Sequence, residues 1–392
     1  MSSIYFDSFF MPFQMGAKMT TMVSCEGPVF SVFARILVRK WGIEQPDKGA
    51  YHRLLKQRQT SQLQRGEAML VVLSHWSALQ CWRVLRRCNS LSESYIVGAE
   101  TSPIGGPRLK ASAAELGRLR EAYSLQGQLH VLVTKDSQRH QRANVTVHQW
   151  RHARNAPCFY ELEPGVYAAS PELCYLQLAR ELDFVDCVRL GYELCSSYVV
   201  NEHGSIVPSA PLMRVTGSRF LESYPHLAGR RALAALEHVL EGAASPKETE
   251  LAIKLGLPRM RGGYGLRGFE MNPEVALGEF GRQITGKRSC RPDLLWAEKR
   301  VDVEYNGKDW HSFPEQRESD MRRRQALAGE GYTVLAVDQA TLGSPAKMEE
   351  LANEISLAVR GRRLPLSRER FFEANRELFA RFAGQGSHVS PS

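Results

Sequence analysis

No Cys-x-x-Cys pair occurs in this chain; its eight cysteines stand singly at 25, 81, 88, 158, 174, 187, 195 and 290. That absence argues against a zinc ribbon or a thioredoxin-like dithiol. Most of these cysteines sit in apolar helical patterns, which predicts reduced, buried thiols and a reducing, cytoplasmic setting. No apolar run approaches the ~18 residues of a membrane span, so no membrane partner is expected. The opening residues, 1–27, are aromatic and lack the charged-then-apolar layout of a signal peptide; they read as a disordered lead-in. No repeat of fixed period appears. Ser-Pro recurs at 170, 245 and 344, but a serine N-cap followed by proline at the first helical position is an ordinary helix start.

What is present is a chain of 392 residues, 43% hydrophobic and 24% charged. That composition belongs to a folded globular protein and that length to more than one domain. The net charge of +9 fits a polyanionic partner such as nucleic acid. Part of the excess lies in residues 34–66, where eight Lys or Arg face only Glu44 and Asp47. Short apolar runs at Ala68–Val72, Tyr95–Gly98, His130–Thr134, Asn144–His148 and Val166–Ala169 predict a small sheet. Helices are expected over 74–87, 170–182, 186–194 and 229–241. Together these make residues 28–240 an α/β accessory region. A second unit, 245–365, is read as helix, one or two strands, hairpin, helix, strand and helix. A C-terminal helix, 366–383, and a disordered tail, 384–392, complete the chain.

The segment Arg291–His311, RPDLLWAEKRVDVEYNGKDWH, carries the most information. Val301, Val303 and Tyr305 alternate with Asp302, Glu304 and Asn306, the period of a half-buried strand. Pro292–Trp296 supplies a partner. A hairpin loop of two or four residues centred on Glu298 and Lys299 sets Asp293 opposite Glu304; the sequence lacks tight-turn residues there, which favours four. A loop of three or five would break that pairing. Opposed carboxylates with Cβ atoms roughly 4.5–5.5 Å apart repel unless a cation sits between them. The pair is either a metal site or the solvated face of a surface hairpin.

Asp293 and Glu304 on neighbouring strands, in this element order, resemble the PD-(D/E)XK nuclease superfamily. Asn306-Gly307-x-x-Trp310-His311 is similar to the H-G-x-x-W-H segment of very-short-patch-repair (Vsr) endonucleases. Asp320-Met-Arg-Arg-Arg324 followed by Gly331-Tyr-Thr-Val-Leu335 is similar to the helix and strand that come next in those enzymes. The resemblance covers about 245–360 and implies a restriction-endonuclease-like mixed sheet flanked by helices. Residues before 240 bear a faint likeness to the N-terminal portions of AbiEi-type antitoxins. The implied activity is Mg2+-dependent (or Mn2+-dependent) hydrolysis of phosphodiester bonds in DNA, in a defence, mobile-element or repair setting. A toxin–antitoxin or defence-system partner is left open.

The residue chemistry agrees with that implication. Phosphodiester hydrolysis needs a hard cation, and magnesium favours one or two carboxylates plus water and phosphate. Asp293 and Glu304 are the candidate ligands. Asn306 stands where the superfamily usually has lysine; its amide orients water but cannot act as a base. Lys308, one step further along, is a candidate substitute. His311 is either a proton-transfer group or a surface residue at the strand end. Glu248 is either a further acid of the site or the N3 member of a capping box with Ser245. Asp320 and Arg324 are spaced for an i, i+4 ion pair. Arg261, Arg288, Arg291 and Arg324 are the candidate contacts to the sugar-phosphate backbone. A competing reading, motivated by Asn306, is a degenerate nuclease fold that binds DNA or regulates as an antitoxin-like protein without cutting.

Overall fold

The structure is a computed structural model that describes residues 69–87, 106–135, 142–151, 158–201, 203–216, 229–307, 314–365 and 369–383. The aromatic lead-in, the basic segment 34–66, the run Tyr95–Gly98, Lys308, Trp310, His311 and the tail lie outside these residues. The chain is mixed α/β, and none of its described helices is long and apolar enough to cross a membrane.

The first half is organised on a five-stranded sheet. Its strands are β1 (Val71–Leu73), β2 (Leu129–Val133), β3 (Val145–Gln149), β4 (Phe159–Glu163) and β5 (Val166–Ala169), in the order β3-β2-β1-β5-β4. β1 runs parallel to β5 and antiparallel to β2, while β2 and β3 are parallel. Helix α1 (His75–Arg87) follows β1 directly, and α2 (Ala113–Ala122) begins with a reciprocal Ser112–Glu115 capping box. Helices α3 (Pro171–Leu178) and α4 (Phe184–Cys195), the hairpin β6–β7 (Tyr198–Val200, Ile206–Pro208) and α5 (Arg230–Leu236) complete this half. Strand β4, helix α2 and the β6–β7 hairpin have no counterpart in the sequence reading. β4 pairs with the adjacent β5 and β6 with β7, so these are local hairpins whose short strands carry little alternation of their own.

The second half opens with α6 (Pro246–Gly256). Its N-cap Ser245 accepts from the Glu248 amide, as the Ser-Pro-Lys-Glu pattern predicts. The helix runs through Gly256 and ends on Leu257, one residue beyond the expected glycine stop. The first of the strands expected after this helix is short, β8 (Glu270–Met271), because Gly265 and Gly268 take positive φ and bend the chain before it. The stretch at Val275–Phe280 divides into β9 (Val275–Ala276) and the start of α7 (Glu279–Thr285). β9 pairs with β10 (Ser289–Cys290). A four-stranded sheet then forms in the order β13-β12-β11-β8, with β11 (Leu294–Trp296), β12 (Val301–Asn306) and β13 (Thr333–Asp338). Helix α8 (Pro314–Gly329) precedes β13. A short α9 (Gln339–Leu342), then α10 (Pro345–Arg360) and α11 (Glu369–Ala380), follow it.

The hairpin closes with four residues between Trp296 and Val301, as the turn chemistry favours. Ala297–Lys299 form a 3-10 turn and Arg300 sits at φ 50. Leu294 pairs with Val303 and Leu295 with Asp302, a register that extends to Asp293 opposite Glu304. Alternation gives β12 two different faces. Val301 and Val303 join a core that also holds Leu251 and Leu255 of α6 and reaches back through Val239 to the first half. The opposite face carries Asp302 and Glu304. It is covered by α8 and by a small separate cluster of Leu277, Cys290, Ala326 and Leu327.

Candidate active site

Three carboxyl groups are buried where β11 and β12 meet. Asp293 is 9% exposed, Asp302 0% and Glu304 1%. Asp302 and Glu304 are two residues apart on one strand and therefore share a face. Asp293 lies at the N-terminal edge of β11, where its Oδ2 accepts from the Tyr305 amide at 2.7 Å. Its own carbonyl accepts from the Asn272 amide at 3.0 Å, which fixes the strand end that presents it.

One cation faces this group. Arg323 of α8 bonds through Nη2 to Glu304 Oε2 and lies 3.8 Å from Asp320 Oδ1. The sequence reading gives Arg324 an ion pair with Asp320 and a phosphate contact, and names no residue for the place beside Glu304 that Arg323 takes. Arg324 instead turns its Nε toward the Asp320 carbonyl at 3.4 Å. Asp302 is thus the member of the site to which the sequence reading gives no role, while it counts Arg323 only among the basic residues near the core. Strand alternation puts Asp302 on the same face as Glu304, so the signal for Asp302 was available, although that face is buried and not the solvated side of a half-buried strand. For Arg323 it was not, since helix phase against the sheet is a tertiary property.

The charges do not balance. Both Asp302 oxygens and Glu304 Oε1 are buried without a hydrogen-bond partner. Burial, then repulsion from Asp293, pushes the Asp302 carboxyl up to about 7. Burial, then repulsion from Asp302, pushes Glu304 up to about 8 against the opposing pull of Arg323. Burial, with Glu304 and Glu248 repelling, drives Asp293 well above the usual carboxylate range. Asp302 and Glu304 are close enough for a proton on one to bond the other. Above that range both ionise, and three anionic groups then share one guanidinium. Such a surplus is costly in a low-dielectric interior.

Glu248 approaches from α6 but is committed elsewhere. Its Oε2 accepts from the Ala244 amide at 2.9 Å and from Asn272 Nδ2 at 2.6 Å. The expected capping box is therefore modified: the return bond goes to Ala244, not to Ser245. Asn306 ends β12 half-buried on the same face. Lys308 and His311 lie outside the described residues. Arg288 and Arg291 are exposed beside β10, with Arg291 3.9 Å from Glu274. Arg261 is placed differently. Its guanidinium lies 4.6 Å over the Phe184 ring and lines a cleft with Asp183, Arg230 and Arg231.

Among the described residues no three carboxylates converge as tightly as one trio of histidines, His75, His130 and His148, in the first half. An ion at the β11–β12 junction would thus rest on two protein carboxylates plus water or substrate, the usual magnesium pattern. The orphaned Glu304 Oε1 fits such an ion, since a hard cation satisfies anionic oxygen that no protein donor reaches. Compared with protein-family models, curated proteins and solved structures, the chain matches none.

Proposed function

We propose that this chain is a metal-dependent endonuclease acting on DNA, with a restriction-endonuclease-like, Vsr-like unit over about 245–365. The observation that carries the reading is the uncompensated acid cluster: Asp293, Asp302 and Glu304 buried together with oxygens that no donor satisfies. Buried acids of this kind persist where a ligand is meant to neutralise them. Asp293 and Glu304 hold Mg2+ or Mn2+. An ion held there would supply charge neutralisation at the phosphoryl group and a polarised water. Asp302 adds negative charge behind Glu304 and raises the affinity of the pair for a cation. Arg323 neutralises Glu304 in the ion-free site; a cation would compete with that pairing, and Asp320, 3.8 Å away, is the alternative partner of the guanidinium. Asn306 orients water without taking its proton. Exposed Lys287, Arg288 and Arg291 run beside the site and supply sequence-independent attraction for the phosphate backbone.

The test is cleavage of supercoiled plasmid by the purified chain in Mg2+ or Mn2+, against EDTA. Asp293→Asn and Glu304→Gln are expected to lower the rate at least about a hundredfold while leaving the circular dichroism spectrum intact. Metal-independent nicking, or variants that cut like wild type, would overturn the reading. A second reading has its own support. Arg323 already pairs with Glu304, and Asn306 replaces the expected lysine. A DNA-binding or antitoxin-like protein that does not cut would show salt-sensitive DNA retention that Glu304→Gln leaves unchanged.

A further inference from the structure

We propose that His75, His130 and His148 form a site for a transition-metal ion of the Zn2+ class, clamping α1 to strands β2 and β3. One ring nitrogen from each histidine lies within 4.8 Å of the others. His130 Nδ1 is 2.9 Å from His148 Nε2, and the His75 ring stacks on that of His148 with centroids 3.7 Å apart. The sheet brings two of them together by register. His130 pairs with Thr146 and Leu132 with His148, so the two histidines are diagonal neighbours on one face. Helix α1 delivers the third from its first residue. A tetrahedral ion with bonds of about 2.0–2.1 Å spaces its ligands about 3.3 Å apart, so binding would turn the stacked rings out of parallel to aim their lone pairs at one centre.

A hydrogen bond between His130 and His148 accounts for two of the rings. It does not account for His75. That residue has φ 48, a backbone conformation L-residues seldom adopt. It is held there by its amide on Gln177 Oε1 at 3.0 Å and by the Cys174 thiol on its carbonyl at 3.2 Å. Ser74 Oγ fixes its Nδ1 at 3.0 Å. Strain maintained by so many contacts marks positions that serve a purpose beyond packing. Glu181 Oε1 stands 4.0 Å from His75 Nε2, with Oε2 anchored by Trp76 Nε1 at 3.0 Å. It is placed either to orient the imidazole or to occupy the fourth position. Imidazole nitrogen selects Zn2+, Co2+, Ni2+ or Cu2+ over Mg2+, which separates this site chemically from the carboxylates of β11 and β12.

The experiment is a titration of the full chain, free of any histidine tag and stripped with EDTA, using Zn2+ and Co2+ as probes. Binding of one ion per chain is expected, with the visible absorption of four-coordinate Co2+. His148→Gln and His130→Gln should each weaken Zn2+ binding about tenfold or more, whereas Glu304→Gln should leave it unchanged. Zn2+ should also protect His148 from diethyl pyrocarbonate in the unmutated chain, read by peptide mass, so the site can be located even if a variant fails to fold. No saturable Zn2+ or Co2+ binding, or binding indifferent to both histidine variants with no protection, overturns the proposal.

Discussion

Helix α6 and strand β12 each bury a carboxylate almost completely, and they treat it in opposite ways. Glu250 of α6, 5% exposed, receives Lys254 Nζ on Oε1 at 2.6 Å and Lys247 Nζ on Oε2 at 2.8 Å. Lys254, 1% exposed, also reaches the Leu342 carbonyl at 2.8 Å and lies 3.8 Å over the Phe379 ring. Two cations serve one acid, and every charged atom has a partner. Where β11 meets β12, three acids share one arginine, and three oxygens have no partner. Equal burial therefore means different things: the first cluster is finished by the fold itself, while the second is finished only by something that binds. Buried charge by itself points to no function; an unbalanced count of charges does.

The contrast is broken most severely from the balanced side. Glu250→Gln leaves the Lys254 ammonium buried against a neutral partner, and removing one member of a buried pair costs about 3 kcal/mol. Urea denaturation should show a lower midpoint with an unchanged slope. A variant as stable as wild type would mean that the ring and carbonyl contacts of Lys254 suffice, and the distinction between the two clusters would lose half its basis.

Next in size is a pH effect on the unbalanced side. The carboxyls of Asp302 and Glu304 titrate higher in the folded chain, at about 7 and about 8, than when unfolded. The native state therefore binds more protons than the unfolded one between those limits, and stability falls as pH rises. His75, held low by burial, acts in the opposite sense below its unfolded value, so the useful window is pH 6.5 to 8. Across it the melting temperature of ion-free protein should decline by an amount corresponding to about 1–2 kcal/mol. Mg2+ should flatten the decline, because the ion replaces the lost protons. An ion-free decline identical in Glu304→Gln would remove the acid cluster as its cause.

These two clusters were not equally readable beforehand. The alternation of Val301 to Asn306 set the inward face of β12, and the turn chemistry at Glu298 and Lys299 favoured the loop length. Both are local rules, and they placed Asp293 opposite Glu304. The helix starts at Ser170, Ser245 and Ser344 were legible for the same reason, with each serine accepting from the amide three residues on. What escaped depends on how distant elements meet. Arg323 reaches Glu304 because of how α8 packs on the sheet. Glu248 bonds Asn272 because β8 ends where it does. The three histidines lie 18 and 55 residues apart in sequence, converging only through the parallel pairing of β2 with β3. No spacing rule of a linear motif would have joined them.

A smaller effect sharpens the comparison inside the acid cluster. Asp302→Asn removes one buried anion and supplies an amide able to donate to the orphaned Glu304 Oε1. Ion-free protein at pH 8 should gain about 1 kcal/mol. That sign is opposite to the one expected for Glu250→Gln, although both changes convert a buried carboxylate to its amide. The same substitution should weaken Mg2+ binding, measured by the ion's effect on the melting temperature. A loss of stability would mean that Asp302 has a partner after all.

The smallest expected change separates two roles of Glu248. Ser245→Ala deletes the cap on the Glu248 amide, a loss of about 1 kcal/mol. The Glu248 carboxylate keeps its bonds from Ala244 and Asn272, so its position relative to Asp293 should hold. Plasmid cleavage should then stay within about twofold of wild type below the melting transition, since twofold corresponds to well under 1 kcal/mol in barrier height. Asn272→Ala attacks from the other side, leaving the serine cap but releasing the carboxylate that repels Asp293. If Asn272→Ala lowers cleavage and Ser245→Ala does not, Glu248 contributes through where its charge sits. If the two variants lose activity only in proportion to their loss of stability, Glu248 belongs with Glu250 to the balanced architecture of α6.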